Sequence, residues 1–377
     1  MTEDRSASFA ELFFDLVFVF GVTQVVAFVH GHLDYSTLWR AALVLALLWW
    51  AWSQYTWLAG HVDFDDLRPR LLMLAATAGV FTIAVSVRGA WGDDGPFFGM
   101  AYFAVMAMGA GFYMFRASGS DLAQGALTYL VRMMAGSALV LIGGFVEGDA
   151  RVWLWIAGMA LNLLAAASAG PYEFQLNPAH FTERHGLFVI IVLGEALIAI
   201  GATVVGHDDT VEFFVAGTAM LLVVLSMWWS YFDAFIKLGE RALKDATGPE
   251  QSSLARDAYT ILHYPLVAGV ILFAVGAEEL LAHPELAMET DARWAFAGGL
   301  AIYFASHVAM MWRLFGGRAW ERISLVAGLC LVAAFMDTAS GATLATVVAL
   351  GVLASLTVET VRFREKLHQL RETERAS

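Results

Sequence analysis

The chain reads as a series of long apolar runs parted by short polar links. A helix needs about 20 largely apolar residues to cross the hydrocarbon core of a bilayer. Twelve runs approach that length, near 9–31, 37–59, 69–88, 97–116, 126–146, 152–169, 184–204, 211–236, 257–281, 293–314, 319–338 and 341–362. Turn-forming stretches such as "RGAWGDDGP" (88–96), "RASGSD" (116–121), "GPYEFQLNP" (170–178) and "GHDDT" (206–210) separate them. The links around 146–151 and 338–341 are short, so counts of eleven or thirteen also fit. The pattern predicts an all-α, polytopic integral membrane protein of about 12 transmembrane helices.

Composition changes what 377 residues mean. A soluble chain of that length would form two or three domains. Here hydrophobic residues make up 59% and charged ones 15%, against roughly 45–50% and about 25% in soluble domains. The bilayer must therefore solvate much of the apolar surface. The single cysteine, Cys330, excludes an internal disulfide framework. A net charge of −13 argues against nucleic acid as a partner. The acidic start "MTEDRSASFA" lacks the basic region of a signal peptide, so the first helix is expected to be retained.

Lys and Arg positions predict orientation. Of the 22 such residues, Arg132 falls inside a span, while Arg40, Arg88, Arg151 and Arg293 fall on one side and the other 17 on the side of the N-terminus. Both termini are expected to be cytoplasmic, in a bacterial cytoplasmic (plasma) membrane. The end "VRFREKLHQLRETERAS" is expected to continue the last span as a polar tail.

The two halves of the chain echo each other in order. "VFGVTQVVA" matches "VLGEALIAI", "LLWWAWSQYTW" matches "LSMWWSYFDAF", "TAGVFTIAV" matches "VAGVILFAV", and "AYFAVMAM" matches "AIYFASHVAM". These matches predict a first six-helix repeat over 1–177, a second over 178–363, and a tail over 364–377. Six spans per half make the repeats parallel, related by an axis along the membrane normal.

Ionisable side chains inside spans are costly and usually face a bundle interior or water. Glu11 and Asp15 are four residues apart on one face of the first span. They fit a helix cap, a pair with a neighbouring Arg, or a cation or proton entrance. Gln24 lies deeper, roughly opposite Asp15 around the axis. Glu183, Arg184 and His185 stand at the mouth of span 7, with Glu195 near mid-membrane as the strongest site candidate. Asp233 and Lys237 have the spacing of a salt bridge within one helix. His263 precedes Pro265, which should open its helix toward a lined cavity. His307 lies in span 10. Arg132 and Arg184 suit structural counter-ions. The aromatic run "LWWAWSQYTW" suits interfacial anchoring and packing better than a cofactor box. No metal-ligand spacing, P-loop, Rossmann fingerprint or G-x-S-x-G is present. The chain thus predicts no catalytic residues, no metal and no cofactor.

"ELFFDLVFVFGVTQ", "ERHGLFVIIVLGEALIAIG", "WWSYFD" and "DAYTILHYPLVAGVILFAVG" resemble, in the same order, blocks of the bacterial low-temperature-requirement A (LtrA) family. The resemblance covers nearly the whole chain. It implies a polytopic membrane protein associated with growth in the cold, and it supports Glu11, Asp15, Glu183, Glu195, Asp233 and His263 as candidates without supplying a reaction. "FFDLVFVFGVT" is also similar to the F-S-D first helix of a potassium and proton channel family built from two six-helix repeats, although the serine is absent here. The resulting expectation is a transporter or channel for a small solute or ion, in a proton-coupled form or otherwise. Glu11, Asp15, Gln24, Glu183, His185, Glu195, Asp233, His263 and His307 would line its pathway. A membrane-embedded enzyme acting on lipid or lipid-linked substrates, and a sensor of membrane state, are the alternatives. The expected partners are the bilayer and the small solute or ion, with a homo-oligomer left open.

Overall fold

The structure is a computed structural model that describes residues 7–60, 64, 66–117, 123–168, 176–204, 210–317 and 319–376. The links at 118–122, 169–175 and 205–209, read as turns from the sequence, lie outside them. The regular structure among the described residues is all helical, with no strand and one isolated bridge between Ala287 and Ser340. The helices are α1 (Phe9–Val29), α2 (Tyr35–Ala59), α3 (Leu67–Ser86), α4 (Gly95–Ala117), α5 (Ala123–Gly144), α6 (Asp149–Ser168), α7 (Pro178–Val204), α8 (Val211–Phe232), α9 (Phe235–Asp245), α10 (Gly248–Leu254), α11 (His263–Ala282), α12 (Thr290–Arg293), α13 (Gly299–Phe315), α14 (Trp320–Phe335) and α15 (Gly341–Ala376). Two π-helical turns, Ala255–Ile261 and Trp294–Gly298, lead into α11 and α13.

Each of the twelve apolar runs is helical. Among the described residues, nine helical stretches are long and apolar enough to cross a membrane. The runs outside these nine are α14, with 16 residues, α5, compared over Leu130–Gly144 alone, and α2. The last is diluted by Trp, Ser, Gln and Tyr that turn inward: Trp49, Trp50, Trp52, Ser53 and Tyr55 are all buried. "LWWAWSQYTW" is therefore no interfacial belt over that part of its length. Its rings are packed against protein, and the N–H groups of Trp49, Trp52 and Trp57 find partners there.

Local chemistry sets the ends that matter. Ser8 and Glu11 form a capping box: Ser8 Oγ accepts from the Glu11 amide at 3.3 Å and Glu11 Oε2 from the Ser8 amide at 2.8 Å. Asn177 and Pro178 open α7, the Asn177 side chain accepting from the His180 amide at 3.2 Å. That start adds six residues before the expected boundary at 184 and brings His180 into the helix. Asp233 ends α8, and α9 starts at Phe235. The expected Asp233–Lys237 pair does not form: a helix break falls between the two, and both side chains are exposed.

The chain divides into two compact units. The first comprises Met1–Val192 and Leu238–Tyr264; the second comprises Leu193–Lys237 and Pro265–Ser377. In the first, α1 packs on α3, and α4, α5 and α6 pack in succession. Close approach needs glycine there: a Cβ on Gly136 of α5 would stand 2.6 Å from the Gly158 carbonyl of α6. In the second, α8 packs on α15 and α14 on α13 and α15. Two of the four arginines set against the charge bias are buried pins. Arg151 donates to the carbonyls of Ala90 and Gly92, both at 2.8 Å. Arg293 donates to that of Ala333 at 2.7 Å.

Candidate functional site

The i,i+4 spacing that puts Glu11 and Asp15 on one face of α1 recurs in α7, where His180 and Arg184 share a face. The two faces meet in the first unit. His180 Nε2 lies 3.0 Å from Glu11 Oε1, bent away from a straight hydrogen bond. One turn on, Arg184 reaches both carboxylates: Nη1 is 3.3 Å from Glu11 Oε1, and Nη2 donates to Asp15 Oδ1. Residue 11 pairs with 180 and 15 with 184, so α1 and α7 run in the same direction here. Glu11, Asp15 and Arg184 are wholly buried. Glu183, on a different face, accepts the Ala7 amide at 3.0 Å.

Trp52 of α2 joins this cluster to a second one. Its N–H donates to Asp15 Oδ1 at 2.7 Å, and its ring lies 5.8 Å from the Arg184 guanidinium carbon. The same ring stands edge-on to His185, with centroids 4.9 Å apart. His185 sits among Phe181 at 4.6 Å, Tyr259 at 5.1 Å and His263 at 5.2 Å. Its Nδ1 is 2.8 Å from the Phe181 carbonyl, which assigns that nitrogen the proton and leaves Nε2 with a lone pair. His263 is held in the same manner, its Nδ1 2.8 Å from the Ala258 carbonyl, and its ring stacks on Tyr259.

The π-helical turn explains how Tyr259 and His263 come to share this place. The Leu262 amide donates to the Asp257 carbonyl, five residues back. In that spacing the Thr260 carbonyl would look to residue 265, a proline with no N–H. Trp49 Nε1 takes the carbonyl instead, at 2.6 Å, while Trp57 Nε1 donates to the Thr260 hydroxyl at 2.9 Å. The Trp-rich run thus closes the gap that Pro265 opens.

The result is a concentration of polar atoms in an apolar surround. Asp15 Oδ2, Arg184 Nε, His185 Nε2 and the Tyr259 hydroxyl are buried with no hydrogen-bond partner. An unsatisfied buried polar atom costs on the order of 1–3 kcal/mol. Four of them among residues in mutual contact mark a place shaped by something other than stability.

The remaining candidates lie elsewhere. Gln24 is half-buried in α1, with no hydrogen-bond partner among the described residues. Arg132 is exposed on α5. In the second unit, Glu195 is half-buried in α7 and has no partner among the described residues. Asp233 is exposed. His307 is buried, with Nδ1 3.3 Å from the Tyr303 carbonyl and its ring against Tyr231 and Phe235. Nearby elements of that unit are tied by Arg322, whose Nε donates to Glu359 at 2.9 Å and Nη2 to the Ser230 carbonyl at 3.1 Å.

The arrangement of the first unit rests on the same segments by which the chain resembles known proteins. The sequence profile described as "Bacterial low temperature requirement A protein (LtrA)" matches residues 6–357. The chain belongs to the LtrA family. It is 29% identical over 321 residues to a protein of Rhizobium meliloti (strain 1021) described as "Uncharacterized protein RA0937", a match spanning 82% of this chain and 78% of that one. No solved structure matches significantly. Within this LtrA chain, "ELFFD" and "ERHGLF" are the blocks that meet at Arg184. Sequence reasoning placed Glu11, Asp15, Glu183, Arg184, His185 and His263, but missed His180, Trp52 and Tyr259. The Asn177-Pro178 start was the available signal for His180, since it puts that residue one turn before Arg184.

Proposed function

We propose that this LtrA-family protein moves a small solute or ion across the bacterial cytoplasmic membrane, with the Arg184 cluster as the centre of its pathway. The observation that carries this reading is the wholly buried set Glu11, Asp15 and Arg184 joined through Trp52 to His185, with unsatisfied polar atoms on Asp15, Arg184 and His185. Buried ionisable groups in membrane helices usually belong to substrate or ion pathways and proton relays. Glu195, half-buried in α7, and His307 are candidates of the second unit in their own right. Both termini would face the cytoplasm, following the charge bias.

A twelve-span architecture of two parallel six-helix repeats fits this reading. Its support is the parallel run of α1 and α7, the leading helices of the two halves. Equivalent glycines support it too: Gly79 meets Val105 of α4, and Gly269 meets Gly299 and Tyr303 of α13. A tyrosine also ties the second and fourth helices of each half, Tyr55 donating to the Val105 carbonyl and Tyr303 to that of Met227.

Flux into proteoliposomes tests the proposal. Wild type is expected to move at least one member of a panel of protons, monovalent cations and small solutes, and D15N and E195Q are expected to stop it. Unchanged flux in D15N would remove the cluster from the mechanism, and unchanged flux in E195Q would remove Glu195.

A further inference from the structure

One end of the first unit holds two arginines with opposite surroundings. The links 30–34, 87–94 and 145–148 turn the chain between α1 and α2, α3 and α4, and α5 and α6, so they share the end of these helices away from Ser8. Arg151, at the start of α6, commits its guanidinium to backbone there. Its Nε donates to the Val146 carbonyl at 2.8 Å, Nη1 to those of Ala90 and Gly92, and Nη2 to that of Gly144 at 3.3 Å. Arg40, in the second turn of α2, makes no hydrogen bond or ion pair among the described residues.

Rings hold Arg40 in place instead. Its guanidinium carbon lies 5.7 Å from the ring centres of both Trp39 and Trp91, which stand edge-on to each other at 5.8 Å. Trp91 packs in turn on Trp155 at 4.8 Å, and Trp155 is fixed by an N–H donated to the Val140 carbonyl at 2.9 Å. This frame answers none of the donors it holds. Arg40 Nε and Trp91 Nε1 are enclosed without a partner, while Nη1 and Nη2 of Arg40 are not enclosed. A cation gripped by two indoles and left without an acceptor is set to receive an anion from outside the chain.

We propose that Arg40, between Trp39 and Trp91, binds the phosphodiester of a membrane phospholipid. The guanidinium is a planar fork of donors, and a phosphodiester presents two unesterified oxygens that match it. The depth fits a headgroup. Tyr35, Phe97, Phe145 and Trp153 are exposed at this same end of α2, α4, α5 and α6, and aromatic side chains at the ends of spans sit at headgroup level. Carboxylates do not compete for the cation: of those in the links 30–34 and 87–94, Asp34 is committed to the cap of α2, and neither Asp93 nor Asp94 pairs with Arg40. A lipid held here ties the start of α2 to the link 87–94 through the two indoles. The site lies at the other end of α1 from Glu11 and is independent of the transport reading.

The test is native mass spectrometry of the full chain released from detergent and titrated with phosphatidylglycerol. One lipid is expected to bind ahead of the rest, and R40Q is expected to weaken that step about tenfold or more. R88Q, which changes an exposed arginine just beyond α3 that stacks on no ring, is expected to leave it unchanged. Equal binding by wild type and R40Q, or an equal loss in R88Q, would overturn the proposal. A galactosyl diacylglycerol, with the same tails and no phosphate, is expected not to displace the bound lipid, and displacement by it would overturn the phosphate assignment. Inorganic phosphate is the other source of this chemistry. It is expected to compete only far above the lipid's concentration; competition at that concentration would make the occupant a soluble anion and overturn the lipid assignment. Should R40Q fail to fold, R40K keeps the charge and loses the planar fork. Weaker lipid binding is then expected, and undiminished binding would overturn the proposal.

Discussion

Replacing Arg184 by glutamine removes the one cation that wholly buried Glu11 and Asp15 share. At an effective dielectric of about 20, a unit-charge attraction across the observed 3.3 Å is about 5 kcal/mol. Desolvation of the guanidinium, several kcal/mol, offsets most of that in the native protein. Removing one partner is different, because the carboxylates stay buried and lose their compensation, a cost of about 3–5 kcal/mol. The presence of a second carboxylate puts R184Q at the upper end. Thermal unfolding of the detergent-solubilised protein, followed by tryptophan fluorescence, should show a midpoint lowered on the order of 10 °C. The double variant D15N/R184Q leaves only Glu11 charged, with His180 beside it, and should recover about 1–3 kcal/mol relative to R184Q. If R184Q costs less than about 1 kcal/mol, or the double variant is no more stable than the single, the shared-cation account is wrong.

W52F keeps the ring against Arg184 and His185 but deletes the N–H that donates to Asp15 at 2.7 Å. Hydrogen bonds to charged groups contribute about 1.5–3 kcal/mol, so unfolding midpoints should fall accordingly, and a loss under about 0.5 kcal/mol would show that Asp15 finds another donor. At the start of α2, the Thr37 hydroxyl first, and Ser36 next, hold the exposed Asp34 carboxyl at about 2. A depressed folded value stabilises above the unfolded value of about 3.9 and is lost as pH falls toward 2. D34N keeps the cap without the charge, so the acid limb of stability between those values should flatten in this variant alone.

Much of the site was legible because helical spacing is legible. Glu11 with Asp15 at i,i+4, and Arg184 at the head of an apolar run, announce faces before any packing is known. His180 was not legible from hydropathy, because "NPAHFTE" is too polar to read as a membrane helix. Only the Asn177 cap and Pro178 extend α7 back over it. Trp52 was misread for a related reason. Tryptophan near a span end is common at interfaces, and nothing in the run itself says that Asp15 waits on a neighbouring helix to accept its N–H. The Asp233–Lys237 pair fails because spacing within a helix presumes an unbroken helix, and the break between α8 and α9 falls inside it.

The sequence by itself determined that this chain is a bundle of apolar helices and which residues carry charge on which helical face, since both follow from local composition and a period of about 3.6 residues. Only the tertiary structure decided which faces meet. Glu11 and Asp15 find His180 and Arg184 because α1 and α7 lie in parallel register, 169 residues apart in the chain. The indole of Trp49 fills the hydrogen bond that Pro265 cannot supply because α2 passes that turn. Burial of charge is a property of neighbours, and neighbours distant in sequence leave no periodic trace in it.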